Sequence, residues 1–144
     1  MTRISEAIEI QRSILAWLNT RSGNVYDIKF QELPENQNGM CMASMPSTKI
    51  IDEDILGNYT AQYSFQLVYR SYPSDSNENL SAEEELDSIG EWVDDQDQSD
   101  YPSLSGNCII TDIKRSSTTA LISKTESGIC DYSCQFNATY KKFN

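Results

Sequence analysis

From Tyr59 to Arg70 the apolar residues fall on every second position: Tyr59, Ala61, Tyr63, Phe65, Leu67 and Tyr69 alternate with Thr60, Gln62, Ser64, Gln66 and Arg70, and only Val68 breaks the rule. Successive side chains of a strand point to opposite sides of a sheet, so this spacing predicts a long strand with one buried face. The opposite face is polar and almost uncharged. In a chain of 144 residues with 22 Asp and Glu, such a face suits contact with another protein subunit, and it equally suits an ordinary solvated sheet face.

A second run of the same kind lies near the end of the chain. Cys130, Tyr132, Cys134, Phe136, Ala138 and Tyr140 alternate with Asp131, Ser133, Gln135, Asn137 and Thr139. Shorter strands are predicted around Val25 to Leu33, Met40 to Met45, Cys108 to Ile113 and Thr118 to Ser123, between stretches rich in Gly, Pro, Asn and Ser. Pro46 to Asn58, with Ile50-Ile51 and Ile55-Leu56 around Asp52-Glu53-Asp54, reads as an ordered loop. Beyond the likeness of the two long runs, no internal repeat is evident.

Two segments have helical spacing instead. Ile4, Ala7, Ile8, Ile14, Leu15, Trp17 and Leu18 form a stripe over residues 3 to 19, with Thr2 placed to cap the start and Ser22-Gly23-Asn24 to turn the chain afterwards. Leu86, Ile89, Trp92 and Val93 form a second stripe, with Glu83, Glu84, Glu85, Asp87 and Glu91 toward water and Ser81 and Glu84 spaced as a capping box. Together these elements predict one α+β domain over residues 1–144: a mainly antiparallel sheet of about six strands with two helices packed on one face.

The net charge of −11 opposes binding to nucleic acid, whose affinity comes largely from Lys and Arg neutralising phosphates. No apolar stretch approaches the length of a membrane span, and Glu6, Glu9 and Arg12 interrupt any secretory signal, so synthesis in the cytoplasm with no membrane association is expected. The triplets at Asn58, Asn79 and Asn137 are then chance matches to a glycosylation acceptor.

Histidine is absent, which removes Ser-His-Asp and Cys-His catalysis and any His-ligated metal from this chain. Cys41, Cys108, Cys130 and Cys134 contain no C-x-x-C pair, and in a strand the last two stand about 13 Å apart, so packed thiols are expected. Asp94-Asp95-Gln96-Asp97-Gln98-Ser99-Asp100 has the acidity of a calcium loop. Counting from Asp95, however, Asp100 stands where the loop needs Gly and Gly106 where it needs Glu, so a flexible acidic loop from Asp94 to Tyr101 is expected instead. No phosphate-cradling glycine motif occurs. No catalytic, cofactor or metal residue is therefore assigned.

The block from Lys49 through Val93 resembles the small tail-terminator proteins of long-tailed phages of Gram-positive bacteria, often labelled minor capsid proteins. The resemblance rests on Ile50-Ile51-Asp52-Glu53-Asp54-Ile55-Leu56-Gly57, on Tyr63-Ser64-Phe65-Gln66-Leu67-Val68-Tyr69-Arg70, and on a helix with Leu86, Ile89 and Trp92-Val93, preceded by an amphipathic N-terminal helix. It implies an α+β virion protein that forms a hexameric ring, caps the growing tail tube and joins the tail to the head. The implied partners are copies of itself, the tail-tube protein and a head-completion or stopper protein. Related readings are a head-completion protein on the portal side, and an α+β domain binding or hydrolysing a small molecule with carboxylates in a cleft. For the assembly readings the expected contact residues are Gln62, Ser64, Gln66 and Arg70 on the polar strand face, and the acidic arm Asp52, Glu53 and Asp54.

Overall fold

The two long alternating runs lie side by side at the centre of one sheet. A computed structural model describes residues 3–35, 37–46, 50–72 and 76–143. In chain order its elements are α1 (Arg3–Leu18), β1 (Ile28–Phe30), β2 (Gly39–Met45), β3 (Ile50–Glu53), β4 (Tyr59–Ser71), α2 (Ser76–Asp95), β5 (Cys108–Arg115), β6 (Ala120–Lys124) and β7 (Cys130–Lys142). β4 and β7 pair antiparallel over their full lengths, from Tyr59 opposite Lys142 to Ser71 opposite Cys130, with Phe65 facing Phe136 at the midpoint. On its other side β4 carries β2 and β3 end to end, and β7 likewise carries β5 and β6. β1 joins β2 in parallel, the one parallel pair among the described strands.

This is the expected α+β arrangement, with seven strands where about six were read. The additional strand is β3, in the stretch read as a loop. It is only four residues long and its alternation is interrupted by a bulge between Ile50 and Asp52, which hides the period of two.

Both helices lie on the same side of the sheet. Ile10, Ile14, Trp17 and Leu18 of α1 and Ala82, Leu86, Ile89 and Val93 of α2 share a core with Met40, Met42, Ala61, Phe65, Leu67, Phe136 and Ala138. Trp17 meets Trp92 with ring centroids 4.8 Å apart, and Phe65 stacks on Phe136 at 5.2 Å. In α1 the buried stripe runs through Ile10, while Ile8, expected inside, is 45% exposed. In α2, Glu85 was expected to face water and is buried, where it accepts hydrogen bonds from the Val25 amide at 2.8 Å and from Arg21 at 3.4 Å. The expected cap at Thr2 lies outside the described residues.

The capping box at Ser81 is not used. α2 starts at Ser76, and the Ser81 hydroxyl, one turn inside, donates back to the Asn77 carbonyl at 3.0 Å. At its other end α2 carries Asp94 and Asp95 and no basic residue in the last turn, which suits the helix dipole poorly. The compensating cation comes from the sheet: Lys114 donates to the Asp94 carbonyl at 2.9 Å, and the Arg115 amide donates to the Asp94 carboxylate at 2.8 Å.

The fold contains a repeat that spacing alone does not reveal. Apart from β1, which has no counterpart, each half runs helix, strand, short bulged strand, tight turn and long strand, and a local twofold axis passes between Phe65 and Phe136. The turns share their main-chain bonds and one side-chain bond. Asp54 N donates to Asn58 O and Thr125 N to Ile129 O, both at 2.9 Å, while the Asp54 carboxylate and the Thr125 hydroxyl accept from the amides of Asn58 and Ile129. Gly57 and Gly128 take the left-handed conformation at corresponding places, with φ of 86° and 92°. The bulge at Ile51 in β3 recurs at Ile122 in β6. Ala7, Ile14, Trp17 and Leu18 of α1 recur at the same spacing as Ala82, Ile89, Trp92 and Val93 of α2. So few identities survive because the structure asks each position only for a shape: an apolar stripe, a glycine at positive φ, an aromatic at the seam.

Candidate functional site

The sheet face away from the helices is the surface on which the sequence placed its contacts. Thr60, Gln62, Ser64 and Gln66 of β4 point there, and the register sets Asn137 opposite Ser64, Gln135 opposite Gln66 and Thr139 opposite Gln62. Two adjacent strands thus present a continuous strip of Thr, Gln, Ser and Asn with no charge in its centre. The strip is drier than an ordinary solvated face: Ser64 and Ser133 are buried, and Gln62, Gln66, Gln135, Asn137 and Thr139 are half-buried. The side chains satisfy one another across the strands. Ser64 donates to Asn137 at 2.5 Å and Ser133 donates to Gln66 at 2.7 Å.

Arg70 has a different role from the one expected of it. It forms a two-pronged pair with Asp131, directly opposite on β7, with Nε and Nη2 each 2.9 Å from a carboxylate oxygen, and Nη1 donates to the Pro34 carbonyl at 3.1 Å. Hydrogen bonding to Asp131 holds the guanidinium above even its usual high range. Arg70 therefore ties β4, β7 and the loop before β2 together inside one subunit. Reversing its charge is therefore expected to disturb folding as well as any contact between subunits.

The acidic arm is the β3–β4 hairpin. Asp52 and Glu53 are exposed on β3. Asp54 is consumed by the turn, where its carboxylate accepts from the amides of Leu56 and Asn58 at 2.9 and 3.0 Å and from the Asn58 side chain at 3.0 Å. Desolvation, the largest single influence, raises the Asp54 carboxyl, but these bonds together outweigh it and hold the group below the usual aspartate range. Asp52 and Glu53 lie on the strand beside β4 at one corner of the sheet, where Asp52 pairs with Thr60 at the end of the polar strip and Glu53 pairs with Tyr59. Sequence reasoning missed the tip of this hairpin, where Ile55 is fully exposed and Leu56 is 70% exposed. The signal was present as two apolar residues followed by Gly57, since apolar residues in a tight turn cannot reach the core.

The acidic stretch from Asp94 to Tyr101 is not an extended loop. Asp94 and Asp95 finish α2, and Asp97 to Asp100 form a turn in which Asp97 accepts from the Ser99 amide at 3.0 Å and hydroxyl at 2.6 Å. Trp17 donates to the Asp100 carbonyl at 3.0 Å and meets Tyr101 edge-on, docking the turn on the core. Among the described residues no group of three His, Cys, Asp or Glu is placed to hold a metal ion, and no helix is long and apolar enough to cross a membrane. The four cysteines are buried free thiols, and burial pushes those of Cys41 and Cys134 up.

A cleft of about 330 Å³ lies between Tyr26, Lys29, Glu32, Pro34 and Asn38, wide open to solvent. The buried carboxylates Glu85 and Asp131 are both engaged by arginines and are not among the residues lining it. No family model matches the chain, and no curated protein matches it.

Proposed function

We propose that this protein is a structural subunit of a long-tailed phage that caps the tail tube, stops its polymerisation and joins the tail to the head as a hexameric ring of copies of this chain, acting in the virion at the tail–head junction.

 The ring is the working form, and its other partners are the tail-tube protein on one side and a head-completion or stopper protein on the other. In this role the chain needs no catalytic centre. The observation that carries the reading is the strip of uncharged polar side chains along β4 and β7, left bare by both helices on a chain of net charge −11. Like charges on two surfaces brought together without water are costly, so a subunit that packs against others benefits from keeping its many acids off the contact face. The acidic balance also suits a ring through which DNA slides without sticking.

The test is electron microscopy of the purified protein, alone and mixed with tail-tube subunits, together with tail lengths in a phage lacking the gene. Capped tubes of uniform length, and overlong tails without the gene, are expected. A chain that never associates with tubes overturns the reading, and capture of the portal or its adaptor in place of the tube protein transfers the role to the portal side.

A further inference from the structure

We infer that copies of this chain associate head to tail through two opposite corners of the sheet, the β3 edge of one copy meeting the β6 edge of the next. The inference rests on the proposed ring and names the surfaces that build it. β3 flanks the start of β4 and β6 flanks the start of β7, so the local twofold axis sets them at diagonal corners. Among the described residues each has a strand on one side only. Each also shows an exposed isoleucine at its bulge, Ile51 at 52% and Ile122 at 55%, with Leu121 at 47% beside the second. Apolar side chains on an open sheet edge mark a contact surface more strongly than isolated apolar residues elsewhere.

Charge selects the partner. β3 itself holds Asp52 and Glu53 and no cation, whereas β6 itself holds Lys124 and no acid. Arg115 lies 3.7 Å from both Asp87 and Asp94, so Lys124, on β6 itself, is the principal cation for an incoming β3. A contact between two β3 edges would oppose acid to acid, and one between two β6 edges would oppose lysine to lysine. Only the mixed contact is attractive. β3 and β6 run in opposite directions within one subunit, so a copy displaced diagonally, sideways and along the strands with little rotation, brings its β6 antiparallel to β3. A contact between two different surfaces repeats from copy to copy, and it closes into a ring when the rotation per step divides the circle. The bulges oppose indiscriminate strand stacking, which leaves side-chain fit and charge to choose the neighbour.

Cysteine cross-linking of the full chain separates the possibilities, since the native thiols are buried. Ile51→Cys and Ile122→Cys are prepared singly and together and treated with a mild oxidant at concentrations where the protein self-associates. The expected result is a 51–122 cross-link when the single variants are mixed, and a ladder of multimers from the double variant. Cross-links of 51 to 51 or 122 to 122, or none in rings visible by electron microscopy, overturn the inference, as does a monomer through the highest concentration that stays in solution. Asp52→Lys is expected to weaken self-association about tenfold, and adding Lys124→Glu in the same chain to restore it. Failure of that rescue also counts against the contact. If tubes are still capped while these links are absent, only this inference falls and the proposed function stands.

Discussion

Replacing Phe136 with alanine probes the seam on which both halves of the fold depend. Phe136 and Phe65 are fully buried, directly opposite on β7 and β4, and stacked at 5.2 Å with their planes 10° apart. Truncating a buried phenylalanine costs about 3–5 kcal/mol, because the lost transfer energy is joined by the energy of the cavity left behind. The whole stability of a domain is about 5–15 kcal/mol, so the variant loses a large fraction of it. At about 2–4 °C per kcal/mol for a chain near this size, melting falls by about 6–20 °C. Urea unfolding followed by circular dichroism reads the change as a lower midpoint at unchanged slope. Phe65→Ala lies across the twofold axis in an equivalent setting and is expected to cost a similar amount. The milder pair Phe65→Leu and Phe136→Leu, made singly and together, is expected to show a coupling of about 0.5–1.5 kcal/mol from the ring stack. A loss below about 1 kcal/mol for Phe136→Ala would refute the placement of this residue at the centre of the core.

Arg70→Glu sets a carboxylate against Asp131 and removes the tie to Pro34; a destabilisation of about 2–4 kcal/mol is expected, below that of a fully buried pair because both side chains retain some solvent, and chemical denaturation measures it. Gln66→Glu leaves Ser133 able to donate to the new carboxylate, so melting is expected to stay within about 1 kcal/mol of the parent while capping of tail tubes is impaired; normal tail length would contradict the role given to the strip. Gly128→Ala meets no neighbouring atom, so its expected cost of about 1–2 kcal/mol is that of positive φ alone, readable as a shift in denaturant midpoint. Glu9 accepts from the amide and hydroxyl of Ser105, which hold its carboxyl below the usual glutamate range. The contribution is therefore complete above the ordinary glutamate pKa and is lost as pH falls through the lower folded value, and protection of the Ser105 amide, measured against its intrinsic exchange rate at each pH, is expected to fall over that acid window.

The two long strands were legible because thirteen-residue strands repeat the period of two often enough to outweigh exceptions such as Val68. Both helices were legible for the same reason at a period of 3.6. What failed was local chemistry that another element overrides. Ser81 has the spacing of a cap, but the helix passes through it. The run from Asp97 to Asp100 looks flexible, but Ser99 and Trp17 hold it in a turn. Of the residues expected to make contacts, the alternation placed Gln62, Ser64 and Gln66 on the sheet face away from the helices, where the structure has them. It could not show that Arg70 is held by Asp131, because that depends on the register between strands sixty residues apart in the chain.

The duplicated hairpins also bear on the order in which the chain folds. β3 with β4 and β6 with β7 are each joined by a turn of a few residues, so each ribbon closes a short loop. Hairpins of this kind form in about 1–10 μs, with little loop entropy lost. The β4–β7 seam is different, since it must bring together two ribbons separated by the whole of α2, the following turn and β5. Until it closes, each ribbon exposes one edge of its longest strand, and those two edges are complementary to each other in every copy of the chain. Crowded refolding therefore exposes this protein to exchange of halves between molecules, with the seam of one subunit completed by the second ribbon of another.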